Sequence, residues 1–245
     1  MTGAGAGVGR TTARRLVERG VAGTVVVNDL HEAAAAEAAA EVEAVGGKAL
    51  VAPADVTSWD AVQAMVADAT AAVGPIDVLV NNAGVPGGAL PAPFVSSTPD
   101  DWAPWIQLNL HAVMCCTRAV LPAMVERGWG RVVTVVSDAA RVGESGLTPY
   151  AAAKAGAAGF TRSVATEVGR FGVTANSVAL GTIKHGVVAA FLDDAAEAKM
   201  LKRYTVKRLG RTEDPAALIA FLASDDAEWI TGQTYPVNGG FSVAV

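Results

Sequence analysis

Short runs rich in valine and isoleucine alternate along the chain with longer alanine-rich stretches of helical character. That order predicts successive βαβ units around a mainly parallel sheet. The predicted strands are residues 24–28 (TVVVN), 49–53, 76–80 (IDVLV), 131–136 (RVVTVV), 173–178 and 234–237, several of them bounded by Gly, Asn or Asp. Helices fill the gaps, among them residues 10–19, 32–45, 99–127 and 150–169. The stretch 32–45 is nearly all good helix formers and stops at Gly46-Gly47, where a left-handed C-terminal residue costs little. Thr98-Pro99-Asp100-Asp101 reads as an N-cap, a proline at the first helical position and acids in the first turn. Pro104 falls where it would loosen the second turn of that helix. Residues 182–212 lack strand signals and are expected to form helices outside the sheet. With no linker-like stretch and no internal repeat, a single domain over residues 1–245 is expected.

Composition narrows the class. Apolar residues make up 51% of the chain and charged residues 18%, a globular mixture that excludes disorder, coiled coil and a disulfide scaffold. The net charge of −5 gives no general attraction to nucleic acid or to an anionic membrane, so any anion site must be local. Cys115 and Cys116 are adjacent, which suits neither a loop-closing disulfide nor metal-ligand spacing, and they read as small buried hydrophobes. No uninterrupted apolar run has transmembrane length and no leader-like segment follows Met1, so a cytoplasmic protein is expected.

The chain opens MTGAGAGVGR, with Gly3, Gly7 and Gly9 ahead of a helical stretch. Glycines let backbone N–H groups approach a pyrophosphate, and the positive end of the following helix favours its charge. Such a loop by itself is often only a tight turn. Asp29, at the end of TVVVN, stands where a carboxylate could accept hydrogen bonds from an adenosine ribose. It would repel a 2′-phosphate, and no Arg or Lys stands beside it, so NAD is favoured over NADP. A fingerprint of this kind should follow a strand, yet only Met1 and Thr2 precede it. The absence of that central strand would leave buried sheet edges unpaired, and the expectation is a natural reading frame that begins upstream.

A second constellation lies at mid-chain: Asn109 in a helix, Ser137 after RVVTVV, and Tyr150 and Lys154 in YAAAK. Residues four apart share a helix face, so an ammonium can sit beside the path of the phenol. Bringing a tyrosine from about 10 to about 7 takes roughly 4 kcal/mol. One charge about 4 Å away at an effective dielectric of about 20 supplies a comparable amount. Tyr150 would then serve as general acid or base near neutral pH. Ser137, at a strand end, could hold the substrate oxygen. Each residue has a plainer reading: Tyr150 follows a proline and could be ordinary packing, and Asn109 could only bond within its helix.

Together these residues resemble the short-chain dehydrogenase/reductase family. The resemblance rests on TGAGAGVG at 2–9, Asp29, ADV at 54–56, NNAG at 81–84, Asn109, and Ser137 thirteen residues before YAAAK. It implies a single Rossmann-type, doubly wound parallel α/β sheet, here without its usual first strand. It implies nicotinamide cofactor binding by Gly3, Gly7, Val8, Gly9, Asp29, Asp55, Val56, Asn82, Ala83, Gly84, Gly181 and Ile183, with Tyr150 and Lys154 at the nicotinamide ribose. The implied catalytic set is Asn109, Ser137, Tyr150 and Lys154: Tyr150 the acid/base, Ser137 the substrate-orienting hydroxyl, and Asn109 holding, through a helix distortion, a water that links Lys154 to solvent. Hydride would pass between nicotinamide and a secondary alcohol or ketone. No metal is implied. A homotetramer or homodimer, paired through the helices near 99–127 and 150–169 and the C-terminal strand, is the implied assembly.

The chain also departs from the family's pattern. Where that pattern reads PGxxxT, residues 180–185 read LGTIKH, so a proline is leucine and the hydroxyl position is His185, either a substitute donor or a surface histidine. Asp138 directly follows Ser137. Between Thr182 and Arg211, seven basic residues (Lys184, Lys199, Lys202, Arg203, Lys207, Arg208, Arg211) outnumber the acidic Asp193, Asp194 and Glu197, which would suit an anionic acyl carrier such as a CoA thioester. SDAARVG and TGQTYPVNGGF are similar to 3-oxoacyl reductases and hydroxyacyl-CoA dehydrogenases. A catalytically silent dinucleotide-binding sensor is the competing reading.

Overall fold

The computed structural model describes residues 1–87, 91–186 and 193–243. In chain order its elements are α1 (Gly7–Glu18), β1 (Thr24–Val27), α2 (Glu32–Ala44), β2 (Lys48–Val51), α3 (Trp59–Val73), β3 (Val78–Asn81), α4 (Pro99–Ile106), a π turn (Gln107–His111), α5 (Ala112–Arg127), β4 (Gly130–Ser137), α6 (Ala139–Val142), α7 (Thr148–Val168), β5 (Val173–Leu180), α8 (Asp194–Leu201), α9 (Glu213–Leu222) and β6 (Thr234–Val237). Every predicted strand is present with its bounds moved by a few residues. The helix expected over 32–45 ends at Gly46, whose φ of 88° is the left-handed stop.

All strand pairs are parallel, but the sheet is divided. β1 pairs with β2, and β3-β4-β5-β6 form the larger part. The edges expected to be bare are bridged by the first residues of the chain. The Asn28 N–H donates to Met1 O at 3.0 Å and the Ala4 N–H to Asn28 O at 2.8 Å, while the Thr2 N–H donates across to Val80 O at 3.1 Å. The Thr2 hydroxyl then accepts from Asn82 N at 3.0 Å and Ala83 N at 3.2 Å. Residues 1–4 therefore take part of the place of a central strand.

The core lies on both faces of β4 and β5, whose residues are all buried except the last of each strand, Ser137 and Leu180. Val80, Val133, Val178 and Ile219 pack on one side with Val8 of α1. Val132, Ala175, Cys116, Val120, Met124 and Val168 pack on the other. Each fully buried valine contributes roughly 1.5–3 kcal/mol. Ala13 of α1 faces Val25, Val27 and the alanines of α2, so α1 straddles the two parts of the sheet.

The helix predicted over 99–127 is continuous but not uniform. Thr98 N–H donates to the Asp101 carboxylate at 2.8 Å, as expected of its N-cap, and Pro99 starts the helix. Soon after Pro104 the ladder widens: the Ala112 N–H reaches back to Gln107 O, one residue further than in an α-helix. By length and composition alone, Pro99–Arg127 could cross a membrane, a point the sequence reading missed. Here its apolar face is spent on the core through Val113, Cys116, Val120 and Met124. The segment after β5 holds α8 and an isolated bridge between Ile183 and Gly210 rather than helices alone. Residues 187–192 of that segment lie outside the described residues.

Candidate active site

A cleft of about 940 Å³ opens beyond the carboxyl ends of β1, β3, β4 and β5. Its lining brings together Gly3, Val8, Asp29, Asp55, Val56, Asn82, Ala83, Gly84, Ser137, Tyr150, Lys154, Gly181 and Ile183, all singled out from the sequence. Gly9 and Asn109 are buried behind this lining, and the part-exposed Gly7 lies beside it against the His185 ring.

At one end the glycine loop turns into α1. Gly3 and Gly7 have φ values of 58° and 54°, in the left-handed region that favours glycine. A Cβ on Gly3 would lie 2.8 Å from the Ala83 backbone, and one on Gly9 would run into Gly3 O and, at 2.6 Å, Asn82 Nδ2. The absence of side chains thus packs loop, helix and β3 end together and leaves bare backbone facing the cleft. Asn82 Nδ2 fixes this loop by donating to Thr2 O at 3.1 Å and Gly3 O at 2.9 Å. No acidic residue occupies the first turn of α1. The first turn of a helix has amide donors without helical acceptors, so the cradle fits a dinucleotide pyrophosphate.

Asp29 closes the loop from the β1 side. Its Oδ2 accepts from Gly5 N at 3.0 Å and its Oδ1 from His31 N at 3.1 Å. Arg10, the nearest basic residue in sequence to the loop, is held away by Glu37 at 2.9 Å and Glu41 at 3.1 Å. Asp55 caps its own turn, accepting from Thr57 N at 2.9 Å and Thr57 Oγ1 at 2.7 Å.

At the other end, α7 starts at Thr148-Pro149 and carries Tyr150 and Lys154 one turn apart, above β4. Lys154 is 3% exposed, and its Nζ donates to Val135 O at 2.7 Å. It lies 5.9 Å from the centre of the Tyr150 ring, which packs edge-on against Trp105 at 5.2 Å. Burial lowers the Lys154 ammonium to a pKa of about 7. Tyr150 does not behave as the sequence reading expected. Burial raises its pKa; a hydrogen bond from Ser137 works against that, and the charge of Glu144 adds to it. Desolvation penalises both charged forms, so without a further positive charge in the cleft this pair rests as neutral phenol and partly neutral amine.

Asn109 is fully buried in the π turn. Its Nδ2 donates to Trp105 O at 3.0 Å, while its Oδ1 is buried without a partner among the described residues. A Cβ on Gly84 would lie 3.0 Å from both that oxygen and Lys154 Nζ. Glycine therefore leaves a small polar space joining Asn109 and Lys154, suited to a water.

Several features escaped the sequence. The buried Asp138 accepts from Arg141 Nη1 at 2.7 Å and from Asn238 Nδ2 at 2.9 Å, tying the turn after Ser137 to the C-terminal segment. Phe241 of that segment lines the cleft beside Tyr204 and beneath the Arg203 guanidinium, 4.0 Å from the ring centre. The basic set is partly spent: Lys184 meets Glu197 at 2.6 Å, and Arg208 grips Asp214 with two nitrogens at 2.6 and 2.9 Å. His185 is not a free surface side chain, since its half-buried ring lies against Gly7. Among the described residues no cluster of His, Cys, Asp or Glu could hold a metal ion, and His111 instead sits 3.6 Å from the Cys115 thiol.

A family model described as enoyl-(acyl carrier protein) reductase matches residues 3–242. The chain is 36% identical over 242 residues to a cyclohexanol dehydrogenase of Acinetobacter sp. (strain SE19), covering 99% of this chain and 93% of that protein. It is 37% identical to a 3-oxoacyl-[acyl-carrier-protein] reductase of Staphylococcus epidermidis, covering 98% and 96%. Among solved structures, a gluconate 5-dehydrogenase from Burkholderia cenocepacia J2315 in complex with NADP and tartrate superposes with a TM-score of 0.92 at 34% identity, over 100% of this chain and 94% of that one.

Proposed function

The chain belongs to the short-chain dehydrogenase/reductase family of oxidoreductases acting on alcohols and ketones, and from that premise we propose an NAD-dependent enzyme in which Tyr150 exchanges the proton with a secondary alcohol or its ketone. The observation that carries this reading is the meeting of Ser137, Tyr150 and Lys154 with the glycine cradle in one cleft. When bound, the nicotinamide supplies or accepts the hydride. Ser137 holds the substrate oxygen against the Tyr150 hydroxyl, which gives up or takes a proton at that oxygen. Lys154, anchored on Val135 O, passes the proton onward, and the space beside Asn109 Oδ1 holds the water that carries it out. A catalytically silent sensor would have no use for this relay.

Asp29 supports NAD over NADP. Both its oxygens are fixed by backbone donors, and among the described residues Lys154 is the only lysine or arginine on the cleft lining. A 2′-phosphate at this carboxylate would meet repulsion with no compensating cation. Adenine is assigned to the Asp55–Val56 side, and the carboxamide to the Ile183 backbone.

The cleft's other charged groups are Asp138, already paired, and Glu144, so the reacting end of the substrate is taken to be neutral. A 3-hydroxyacyl or 3-oxoacyl thioester meets that condition, with its anionic carrier toward Lys199 and Lys202. We assign the enzyme to the cytoplasm as a homotetramer or homodimer, with Ile106 and Met114 supplying exposed apolar surface on the α4–α5 face. Titration with NADH and NADPH, followed by energy transfer from tryptophan, is the first test, with tight NADH and weak NADPH binding expected. A panel of cyclohexanone, simple ketones and a 3-oxoacyl-CoA then reads the substrate. Turnover of none, with NADH bound, favours the sensor. Lys199→Glu with Lys202→Glu should slow the CoA ester more than a neutral ketone; equal effects remove the carrier assignment.

A further inference from the structure

Asp138 directly follows Ser137, and its main chain extends the β4–β5 ladder by one bond, Asp138 N donating to Leu180 O at 2.8 Å. Its side chain leaves the sheet. The carboxylate is 2% exposed and both of its oxygens are taken, Oδ1 by Arg141 Nη1 at 2.7 Å and Oδ2 by Asn238 Nδ2 at 2.9 Å. Arg141 Nη1 also donates to Ser242 Oγ at 3.3 Å, and Asn238 Nδ2 to Ser242 O at 3.1 Å and Oγ at 3.0 Å. A buried carboxylate persists only when its charge and lone pairs are met in this way, so these four residues fix one another.

The network ends in a turn that carries a ring. Phe241 N donates to Asn238 O at 3.0 Å across Gly239 and Gly240, whose φ values are 59° and 74°. Asn238 Oδ1 accepts from Gly240 N at 3.0 Å, so both ends of that amide are committed. Val206 N donates to Gly239 O at 2.8 Å and Thr205 Oγ1 to Gly240 O at 3.1 Å. Phe241 lines the cleft. Its ring centre lies 5.2 Å from that of the buried Tyr204, whose hydroxyl accepts from Thr182 N at 2.8 Å, and the Arg203 guanidinium covers it at 4.0 Å. Arg203 is not itself on the lining, so the cleft meets the ring and not the charge.

On the alcohol and ketone reading above, we infer that Asp138 is a positioning residue: through Asn238 it sets Phe241 as an apolar wall of the substrate end, which selects a substrate with an apolar ring or chain beside the reacting carbon. Ser137 and Asp138 are consecutive in the chain. The hydroxyl assigned to the substrate oxygen and the anchor of this wall therefore share one fixed stretch of backbone, and the gap between oxygen and wall is set there.

The test compares the parent chain with Asp138→Ala, Asn238→Ala and Phe241→Ala by hydrogen exchange, NADH titration and steady-state kinetics on cyclohexanone and on acetone, which is too small to need the wall. Asp138→Ala and Asn238→Ala should speed exchange of the Phe241 amide about tenfold while Val133 keeps its rate. All three variants should raise KM for cyclohexanone about tenfold with kcat nearly kept, and leave acetone and NADH within about twofold. Asp138→Ala joined to Phe241→Ala should weaken cyclohexanone no further than Phe241→Ala alone, since both act through one contact. Asn238→Ala cuts the same link while Asp138 keeps Arg141, so the comparison stands even where Asp138→Ala does not fold. Equal losses on both ketones, or full additivity in the double variant, overturn the inference by giving Asp138 only a general structural role. Unchanged exchange at Phe241 overturns the anchoring. A parent chain that binds NADH and reduces no ketone overturns the alcohol and ketone reading itself, while the exchange measurement still decides the anchoring.

Discussion

The Asp29 carboxylate accepts the Gly5 N–H at 3.0 Å, so the group proposed to select between nucleotides is held by the glycine loop that opens α1. A Cβ on Gly5 would stand 2.7 Å from Asp29 Oδ2, which leaves the loop no room for a side chain at that point. Asp29→Ala should narrow the preference for NADH over NADPH by about tenfold, on the scale of one charge repulsion near a protein surface. The change should come mainly from tighter NADPH. Equal losses for both nucleotides in a binding titration would take selection away from Asp29.

Tyr150→Phe removes the hydroxyl proposed to exchange the proton and keeps the ring that packs on Trp105. Steady-state assays should show kcat lower by about 10²–10⁴-fold, with NADH affinity nearly unchanged. Substantial remaining turnover would assign the proton to another group.

Lys154 makes stability depend on pH. Its pKa falls from 10.5 to about 7 on folding because burial disfavours the ammonium. Below about pH 7 both folded and unfolded chains carry the proton, and the full cost of the buried charge is present. As pH rises from there toward 10.5, the folded chain sheds the proton first and the cost is relieved, so this group makes the protein more stable with rising pH. In thermal melts without nucleotide, Lys154→Met should exceed the parent Tm most at pH 6 and progressively less toward pH 10. A gain that does not change with pH would show that packing, not charge, sets the difference.

Gly84→Ala tests the polar space between Asn109 and Lys154. The new methyl would sit 3.0 Å from both Asn109 Oδ1 and Lys154 Nζ, and Nζ has little freedom to retreat while bonded to Val135 O at 2.7 Å. Displacing the proposed relay should lower kcat by about 10²-fold, the size of a 1 Å misplacement, with a smaller effect on NADH binding. A wild-type kcat would place the proton path elsewhere.

The strands and most helices were legible because valine-rich runs and alanine-rich stretches differ in period, and the Thr98–Asp101 cap was legible because its residue types have one strong joint use. That Ser137, Tyr150 and Lys154 share one cleft was legible from their order and spacing. What stayed hidden depends on contacts far apart in sequence. The π turn at Gln107–His111 leaves no mark in hydrophobic periodicity, since one extra residue in a turn is read as helix either way. Asp138 meets Asn238 across a hundred positions. The raised pKa of Tyr150 follows from burial, which the YAAAK string does not encode. Of the seven basic residues after β5, Lys184 and Arg208 are tied to Glu197 and Asp214, pairings that a count of charges does not show.

The divided sheet gives the molecule a fault line. β4 and β5 share an eight-residue ladder with strands on both sides, whereas β1 and β2 meet the rest through residues 1–4 and the shared helix α1. Amide hydrogens of Val25 and Val27 should therefore exchange with solvent sooner than those of Val133 and Val135, by a local opening that leaves the larger part intact. A ligand lying across both parts would act as a clasp, slowing exchange in β1 and β2 most, although the proposed chemistry lies at the end of β4.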